Sequence, residues 1–147
     1  IQIFLGGWTS TNYAALACTD FPTCHGEWLP QMDFRHGFQL VRELGKTAAG
    51  VHLSYDAITA IHWTHRVGAL VTLLVVGGFA LRLLCNPASA RLGGLLLAVL
   101  LAQVILGVAN VLGGLPLLLA AAHNAGAAIL LLTMVVINFA LSQKPAS

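Results

Sequence analysis

The sequence predicts an all-α membrane protein with several spanning helices. Of its 147 residues, 58% are hydrophobic and 8% are charged, and the mean hydropathy is +0.85. A soluble domain of this size has too little interior to bury so much apolar surface, so lipid must surround it. Three apolar runs are long enough to cross the membrane as helices, which satisfy their own backbone hydrogen bonds in lipid. None of the three runs has the alternation of a membrane β-barrel.

The first element is short and apolar. Ile1–Leu5 is too short to span a membrane and does not begin with methionine, and Gly6, Gly7 and Trp8 follow it. Glycines and a tryptophan here are typical of a helix end at the membrane interface. We therefore expect residues 1–8 to be the end of a truncated transmembrane helix. We also expect the chain to be a piece of a longer protein, without a signal peptide.

A long polar segment, residues 9–56, comes next. It contains all five acidic residues of the chain. Within it, the range 33–45 predicts a short amphipathic helix, with Asp33 as its N-cap and Gly45 as its stop. The apolar side chains that share one face of this predicted helix are Phe34, Phe38, Val41 and Leu44. Such a helix would lie on the membrane interface.

The remaining residues alternate between long apolar runs and short connections. We predict transmembrane helices over 57–84, 92–112 and 115–141. Each is at least as long as the ~20 residues that a spanning helix needs. The connection 85–91 joins the first two of these helices, and residues 142–147 form a tail.

Charge and cysteine usage predict the sidedness. Arg82 and Arg91 flank the connection 85–91 and Lys144 lies in the tail, with no acidic residue beside them. Short basic connections stay in the cytoplasm, so we expect the tail there and residues 9–56 outside. These few basic residues set topology and predict no nucleic-acid partner.

The positions of the three cysteines agree with this predicted orientation. Cys85 lies on the predicted cytoplasmic side and should be a free thiol. Cys18 and Cys24 lie in the predicted outer segment with C-x5-C spacing. A bridge between them would close a short loop, worth about 2.4 kcal/mol by chain entropy. Such a bridge would be either a structural staple, which we favour, or a redox pair that exchanges electrons or thiols.

Two histidines open the same short pattern in two predicted spans. His65 begins HRVGA and His123 begins HNAGA, both of the form His-x-x-Gly-Ala. Each lies about eight residues, or ~12 Å, inside the start of its apolar run. Two neutral imidazoles at one level in a helix bundle are what a six-coordinate haem iron requires. The small residues beside each histidine would let a flat macrocycle approach. We predict that both histidines ligate haem iron, rather than serving only as hydrogen-bonded structural residues.

Further residues near these histidines have several interpretations. His62 lies one helical turn above His65. Its possible roles are a rival ligand, a proton carrier or a partner for a haem propionate. Arg66 would pair with a propionate or extend to the interface. A weak repeat links Gln2-Ile3-Phe4-Leu5-Gly6 with Gln103-Val104-Ile105-Leu106-Gly107, each copy preceding a histidine helix. It predicts two hairpins built alike, one on each side of a cofactor.

Three stretches of the chain resemble the second half of bacterial haem A synthases. They are LGGWTSTNYAALACTDFPTCHGEWLP (5–30), AIHWTHRVGAL (60–70) and QVILGVANVLGGLPLLLAAAHNAGAA (103–128). The resemblance covers nearly the whole chain. It implies the C-terminal four-helix half of an eight-helix bundle. The family oxidises a methyl group of haem O to the formyl group of haem A and supports cytochrome c oxidase assembly.

The resemblance also implies roles for individual residues. The axial ligands of a haem b cofactor fall on His65 and His123, and a disulfide falls on Cys18 and Cys24. The substrate-side half of the family carries a glutamate where this chain has His62, so no catalytic residue is expected here. The implied partners are membrane lipid, the N-terminal half with its haem O substrate, and haem O synthase or oxidase assembly proteins.

Three other functions remain open at this point. A plain b-type cytochrome would use the same histidines to pass electrons to quinone. A thiol–quinone oxidoreductase would use Cys18 and Cys24 and would hold no haem. In a haem-free helical scaffold, the intramembrane histidines would only hydrogen-bond neighbouring helices.

Overall fold

The computed structural model describes residues 1–143 and confirms the all-α prediction. Its helices are α1 (Gln2–Thr11), α2 (Phe34–Gly37), α3 (Tyr55–Leu84), α4 (Ala90–Leu112) and α5 (Leu117–Ser142). The described residues contain no β-strand, only isolated bridges pairing Cys24 with Glu27 and Lys46 with His52. Helices α3, α4 and α5, of 30, 23 and 26 residues, are long and apolar enough to cross a membrane.

The chain divides into two compact units. The first unit comprises Ile1–Leu70 and Val108–Pro116, and it contains α1, α2 and the beginning of α3. The second comprises Val71–Gly107 and the chain from Leu117 onward, and it contains the rest of α3, most of α4 and α5.

The spanning helices differ from the predicted ranges by one or two residues at several ends. Helix α3 begins at Tyr55 rather than at 57, because the Ser54 hydroxyl and carbonyl accept from the Ala57 amide. Helix α4 begins at Ala90 rather than at 92. Helix α5 covers 117–142 rather than 115–141, since Leu115 has a φ of 62° that a helix does not allow. The predicted tail beyond residue 143, including Lys144, lies outside the described residues.

Helix α1 continues past Trp8, where the sequence predicts its end. It ends at Thr11, and the side-chain nitrogen Nδ2 of Asn12 donates to the Trp8 carbonyl at 2.9 Å. The Asn12 side-chain oxygen accepts from the Gly45 amide at 3.1 Å. Asn12, only 1% exposed, therefore closes the helix and also fastens the outer segment to it.

Helix α2 is a single turn instead of the longer amphipathic helix predicted over 33–45. Asp33 caps it as expected, accepting from the His36 amide at 3.1 Å. The helix ends at Gly37 because that glycine lies against α3, where a Cβ would be 2.8 Å from the Ala57 carbonyl oxygen. The Gly37 carbonyl accepts from side chains instead of continuing the helix. Val41, on the predicted apolar face, is 90% exposed.

The second unit has a small core of its own. Its buried members are Ala80, Leu83, Leu96 and Ile137. Gly93 allows the start of α4 to approach the end of α3, because a Cβ there would lie 2.7 Å from the Ala80 carbonyl oxygen. Cys85, in the connection between these helices, is an exposed free thiol, as predicted.

Most of the long helices' surface is apolar and exposed. In the most apolar stretches of α3, α4 and α5, only 17%, 17% and 6% of the residues, respectively, are buried. Side chains such as Leu74, Val75 and Leu132 are more than 60% exposed. Such apolar surface requires a surrounding of lipid or of further protein rather than water.

Candidate functional site

His65 faces α1 within the first unit. The side-chain nitrogen Nε2 of Gln2 donates to the His65 carbonyl at 3.1 Å and also lies 3.1 Å from the imidazole Nδ1. Gly6 leaves room for the ring, because a Cβ there would be 3.2 Å from Cε1 of His65. A Cβ at Gly68 would collide with the Gln2 side-chain oxygen. The imidazole therefore lies against an amide and a glycine of the neighbouring helix.

His123 has a matching environment within the second unit. Nε2 of Gln103 donates to the His123 carbonyl at 2.9 Å. A Cβ at Gly107 would be 3.0 Å from Cε1 of His123, and a Cβ at Gly126 would collide with the Gln103 side-chain oxygen. Gln103 thus makes a hydrogen bond between α4 and α5. The buried Nδ1 of His123 has no hydrogen-bond partner among residues 1–143.

The two environments share one packing pattern. In each unit, a glutamine and the glycine four residues later pack against a histidine and the glycine three residues later. The sequence repeat predicts two hairpins built alike. The repeated glutamine and glycine are the residues that contact the histidine helix in each unit. Small residues at such crossings permit close approach of two backbones.

The helix ends do not reproduce the equal depth predicted for the two histidines. His65 lies ten residues after the first residue of α3, whereas His123 lies six residues after the first residue of α5. The difference arises because α3 begins earlier and α5 later than the apolar runs indicate. The likeness of the two sites therefore rests on local contacts rather than on the distance from a helix end.

His62 and Arg66 form a network with the loop that contains the disulfide. His62 is buried, its Nδ1 accepts from the Cys18 amide at 3.2 Å, and its Nε2 faces Nε of Arg66 at 3.3 Å. The Arg66 guanidinium donates to the carbonyls of Cys18 and Thr23, each at 2.8 Å. Both His62 nitrogens thus have partners inside this network. Two Arg66 nitrogens donate to loop carbonyls.

The cysteine loop is closed and shielded. Cys18 and Cys24 form a disulfide, and the two residues are 0% and 1% exposed. Asp20 braces the loop by accepting from the Thr23 hydroxyl and from the amides of Gly26 and His25, at 2.6, 2.9 and 2.7 Å. These hydrogen bonds, led by that of Thr23, hold the pKa of Asp20 well below its usual range.

The sequence alone did not reveal two features of the site. The glutamines were recognisable as a repeat, but their contacts with the histidines required the helix crossings. The His62 network was also missed, because nothing in the sequence places the Cys18 amide beside that ring. Residues 1–143 contain no group of three or more His, Cys, Asp or Glu side chains that could hold a metal ion.

Known proteins resemble this chain over nearly its whole length. The family model described as cytochrome oxidase assembly protein (COX15-CtaA) matches residues 1–135. The heme A synthase of Shewanella oneidensis is 43% identical over 146 residues, which are 99% of this chain and 44% of that protein. The heme A synthase of Nitrosospira multiformis is 31% identical over 98% of this chain and 38% of its own length. Heme A synthase COX15 of Arabidopsis thaliana is 31% identical over 100% of this chain and 30% of its own length.

The chain spans less than half the length of these curated relatives. No solved structure matches it significantly. The family match nevertheless extends over all three apolar helices as far as residue 135. This chain is an integral membrane protein and belongs to the cytochrome oxidase assembly protein family, COX15-CtaA.

Proposed function

We propose that this chain is the haem b-binding half of a haem A synthase. The enzyme would oxidise a methyl group of haem O to the formyl group of haem A, in support of cytochrome c oxidase assembly. The names of the relatives support the enzyme class. One observation carries the assignment of the cofactor half. Both candidate ligands, His65 and His123, lie in the same glutamine–glycine packing pattern.

The residues around the histidines fit a haem. A haem iron with two axial imidazoles needs neutral histidines that keep one ring nitrogen for the metal. The buried Nδ1 of His123 lacks a hydrogen-bond partner among the described residues, so the ring is not committed to another protein group. Gly107 borders this ring where any side chain would crowd it. When bound, haem b supplies one-electron transfer.

The chain's own residues would orient and enclose this cofactor. Gln2 and Gln103 hold the backbone of each histidine against the neighbouring helix. The apolar surfaces of α3, α4 and α5 exclude water from the membrane interior around these sites. His62 and Arg66 would stabilise the loop above His65.

The proposal leaves the oxidation of haem O to the N-terminal half. The resemblance of the chain to haem A synthases implies that their substrate-side half carries a glutamate at the position of His62. Both ring nitrogens of His62 face groups of this network, the Cys18 amide and Nε of Arg66. A neutral imidazole has one acceptor nitrogen, which hydrogen-bonds to one of these N–H groups, and the other ring nitrogen is also covered, so neither is open to a substrate. His62 therefore serves structure in this proposal, and no residue of the chain is assigned to substrate oxidation.

The proposed location is the bacterial inner membrane, with residues 9–56 outside and the C-terminus in the cytoplasm. The Cys18–Cys24 disulfide supports this sidedness, because such bonds persist in oxidising compartments. The free thiol of Cys85, across one span, fits the reducing side. The proposed partners are membrane lipid, the half that carries haem O, and haem O synthase or oxidase assembly proteins.

The thiol–quinone alternative is less well supported. Exchange requires a thiolate to reach a disulfide sulfur, and both cysteines are at most 1% exposed. The carbonyls of Cys18 and Thr23 are also bound by Arg66. A structural role is therefore the better assignment for the Cys18–Cys24 disulfide. A plain b-type cytochrome shares the histidines and must be separated by experiment.

The test is haem analysis of membranes from cells that lack their own haem A synthase. The chain is expressed within a polypeptide of the relatives' full length, and the haems are extracted and separated by chromatography. We expect haem A with the unsubstituted protein, and haem O accumulation with His65→Ala or His123→Ala. His52→Ala is the surface control. Bound haem b without any haem A would favour the cytochrome, and unchanged haem A in both variants would overturn the ligand assignment.

A further inference from the structure

The loop that contains the disulfide is fastened to one turn of α3. The Trp63 indole nitrogen donates to the Trp28 carbonyl at 2.9 Å. Three residues further along the helix, the Arg66 guanidinium donates to the carbonyls of Cys18 and Thr23, each at 2.8 Å. These residues all belong to the first unit. Three hydrogen bonds therefore hold the loop at the level of Trp63 and Arg66.

This turn of α3 lies where the helix enters the membrane. Arg66 is followed by fifteen residues, 67–81, that carry no charge. A charged side chain is costly deeper in the hydrocarbon, so the lipid-embedded part of α3 begins close to Arg66. Trp63 lies about one turn, ~4.5 Å, before Arg66 along the helix. Because tryptophan is enriched at the boundary between lipid and water, both residues put the fastened loop at the membrane interface.

Large apolar side chains are exposed on and beside this loop. Trp28 is 70% exposed and Leu29 is 72% exposed. Phe34 is half-exposed, and its ring lies edge-on to that of Trp63, with the ring centroids 6.5 Å apart. We call Trp28, Leu29 and Phe34 the interfacial patch. Exposed apolar side chains grouped in this way mark an interaction surface.

We propose that the interfacial patch binds the phospholipid bilayer, with Trp28 and Leu29 inserted among the lipid headgroups and the adjoining acyl chains. The level of the patch along α3 favours lipid as its partner, because this level coincides with the end of an uncharged spanning segment. The composition of the patch agrees, since an indole combines a large apolar ring with one polar N–H group. The cysteine loop would then be held both by α3 and by lipid. This inference concerns the lipid contact alone and does not depend on haem binding.

Tyr13 supplies a matched control. It is an aromatic residue that is 83% exposed, but it follows the end of α1. Near its beginning α1 contacts His65 through Gln2, whereas its last turn donates to the carbonyl of Gly37, which lies against Ala57. The end of α1 therefore lies toward the beginning of α3, away from the level of the interfacial patch. Tyr13 should accordingly face water.

The experiment is photocrosslinking with p-benzoylphenylalanine, placed singly in place of Trp28, Leu29 or Tyr13. The chain is expressed within a polypeptide of the relatives' full length, which is reconstituted into vesicles of phosphatidylethanolamine and phosphatidylglycerol. After irradiation, mass spectrometry of the proteolytic peptides distinguishes phospholipid adducts from crosslinks to protein. The Trp63 hydrogen bond goes to the Trp28 backbone, so replacing the Trp28 side chain leaves it in place. An intact Cys18–Cys24 disulfide in each variant shows that the loop is folded.

We expect phospholipid adducts with the photoreactive residue at positions 28 and 29, and none at position 13. Crosslinks from position 28 or 29 to the N-terminal half would show that protein covers the interfacial patch, and would overturn the proposal. Lipid adducts that are missing from either position, or equally abundant at position 13, would overturn it as well. Each of these results leaves the proposed haem site untouched, because that site is tested by haem content.

Discussion

At the scale of single residues, two glycines decide whether a neighbouring helix can approach a candidate ligand. Gly6 and Gly107 each lie beside Cε1 of a histidine, at a distance where an added Cβ would press on the ring. A larger side chain would turn the imidazole or push the helices apart. The glycines therefore matter for the direction of each ring rather than for backbone freedom.

Gly6→Val should reduce the six-coordinate haem spectrum, because its side chain would displace the ring of His65. Gly7→Val is the matched control, since a Cβ at Gly7 meets nothing within 4 Å. The measurement is the low-spin absorption of the purified variants at equal protein concentration. Equal haem content in the two variants would contradict the role given to Gly6.

Asp20 makes the disulfide loop sensitive to acid. Its pKa in the folded loop is lowered, chiefly by the Thr23 hydroxyl and the Gly26 amide, from about 3.9 in an unfolded chain. Ionised Asp20 therefore favours the folded loop at neutral pH, and this contribution disappears as the pH falls below about 4 through the folded pKa. The protection factors of the His25 and Gly26 amides, which correct for the pH dependence of intrinsic exchange, should fall there.

Asp20→Asn should show faster exchange of the same two amides already at neutral pH, because a neutral amide oxygen is a weaker acceptor than a carboxylate. Asp33→Asn serves as the control, because Asp33 caps α2 and makes no hydrogen bond to this loop. Protection factors of these two amides that stay constant as the pH falls from about 7 to about 2 would contradict the bracing role of Asp20.

Sequence patterns select candidate residues for the site but do not reveal which side chains contact them. His65, His123, the cysteine pair and the glutamine repeat can all be chosen by spacing and apolar context. The contacts of Gln2 with His65 and of Arg66 with the cysteine loop join residues more than forty positions apart. Which side chains meet across such separations depends on helix crossings that local patterns do not encode.

At the scale of elements, Arg66 connects α3 to the cysteine loop. Its two hydrogen bonds hold the carbonyls of Cys18 and Thr23, at the beginning and near the end of the loop. Arg66→Gln should accelerate reduction of the Cys18–Cys24 bridge by dithiothreitol, by about tenfold or more, because hydrogen bonds to a charged group contribute ~1.5–3 kcal/mol each.

Arg35→Gln is the control for this measurement, because Arg35 lies exposed in α2. Thiol labelling over time, at fixed reductant concentration, gives the reduction rates. Equal rates of disulfide reduction in Arg66→Gln and in the unsubstituted protein would contradict the proposed role of the Arg66 hydrogen bonds in protecting the loop.

The crossing between α3 and α4 offers a second matched pair. A Cβ at Gly93 would lie 2.7 Å from the Ala80 oxygen and the Leu84 nitrogen, whereas at Gly94 the nearest atom is 3.9 Å away. Gly93→Ala should destabilise the second unit by ~1–3 kcal/mol through overpacking. Gly94→Ala should be neutral or stabilising, since alanine favours helix over glycine by ~0.5–1 kcal/mol. Thermal unfolding in detergent compares them, and the reverse order would refute the close crossing.

Element lengths were predictable where apolar length decides them. The three long helices follow from hydropathy to within two residues at each end described. Helix α2 was not predictable in length, because its apolar spacing fits a longer helix. What ends it is the packing of Gly37 on Ala57, together with the Trp8 and Arg42 side chains that donate to the Gly37 carbonyl. Tertiary contact overrides local periodicity there.

At the scale of the whole molecule, the chain is an all-α membrane protein of the cytochrome oxidase assembly protein family. Hydropathy predicts the class, and the cysteine spacing anticipates the disulfide that is present. The place of the chain within a protein more than twice its length remains a proposal, carried by the duplicated histidine environment. The central claim of the proposed function is that His65 and His123 bind one haem b.

The most direct test is a reduced-minus-oxidised absorption spectrum of the detergent-purified protein, with the pyridine haemochrome of the extracted haem. The account predicts a low-spin, six-coordinate b-type spectrum at about one haem per chain. This spectrum should be lost in His65→Ala and in His123→Ala but kept in His52→Ala. A low-spin six-coordinate spectrum that persists in either ligand variant, or the absence of haem from the unsubstituted protein, would contradict it.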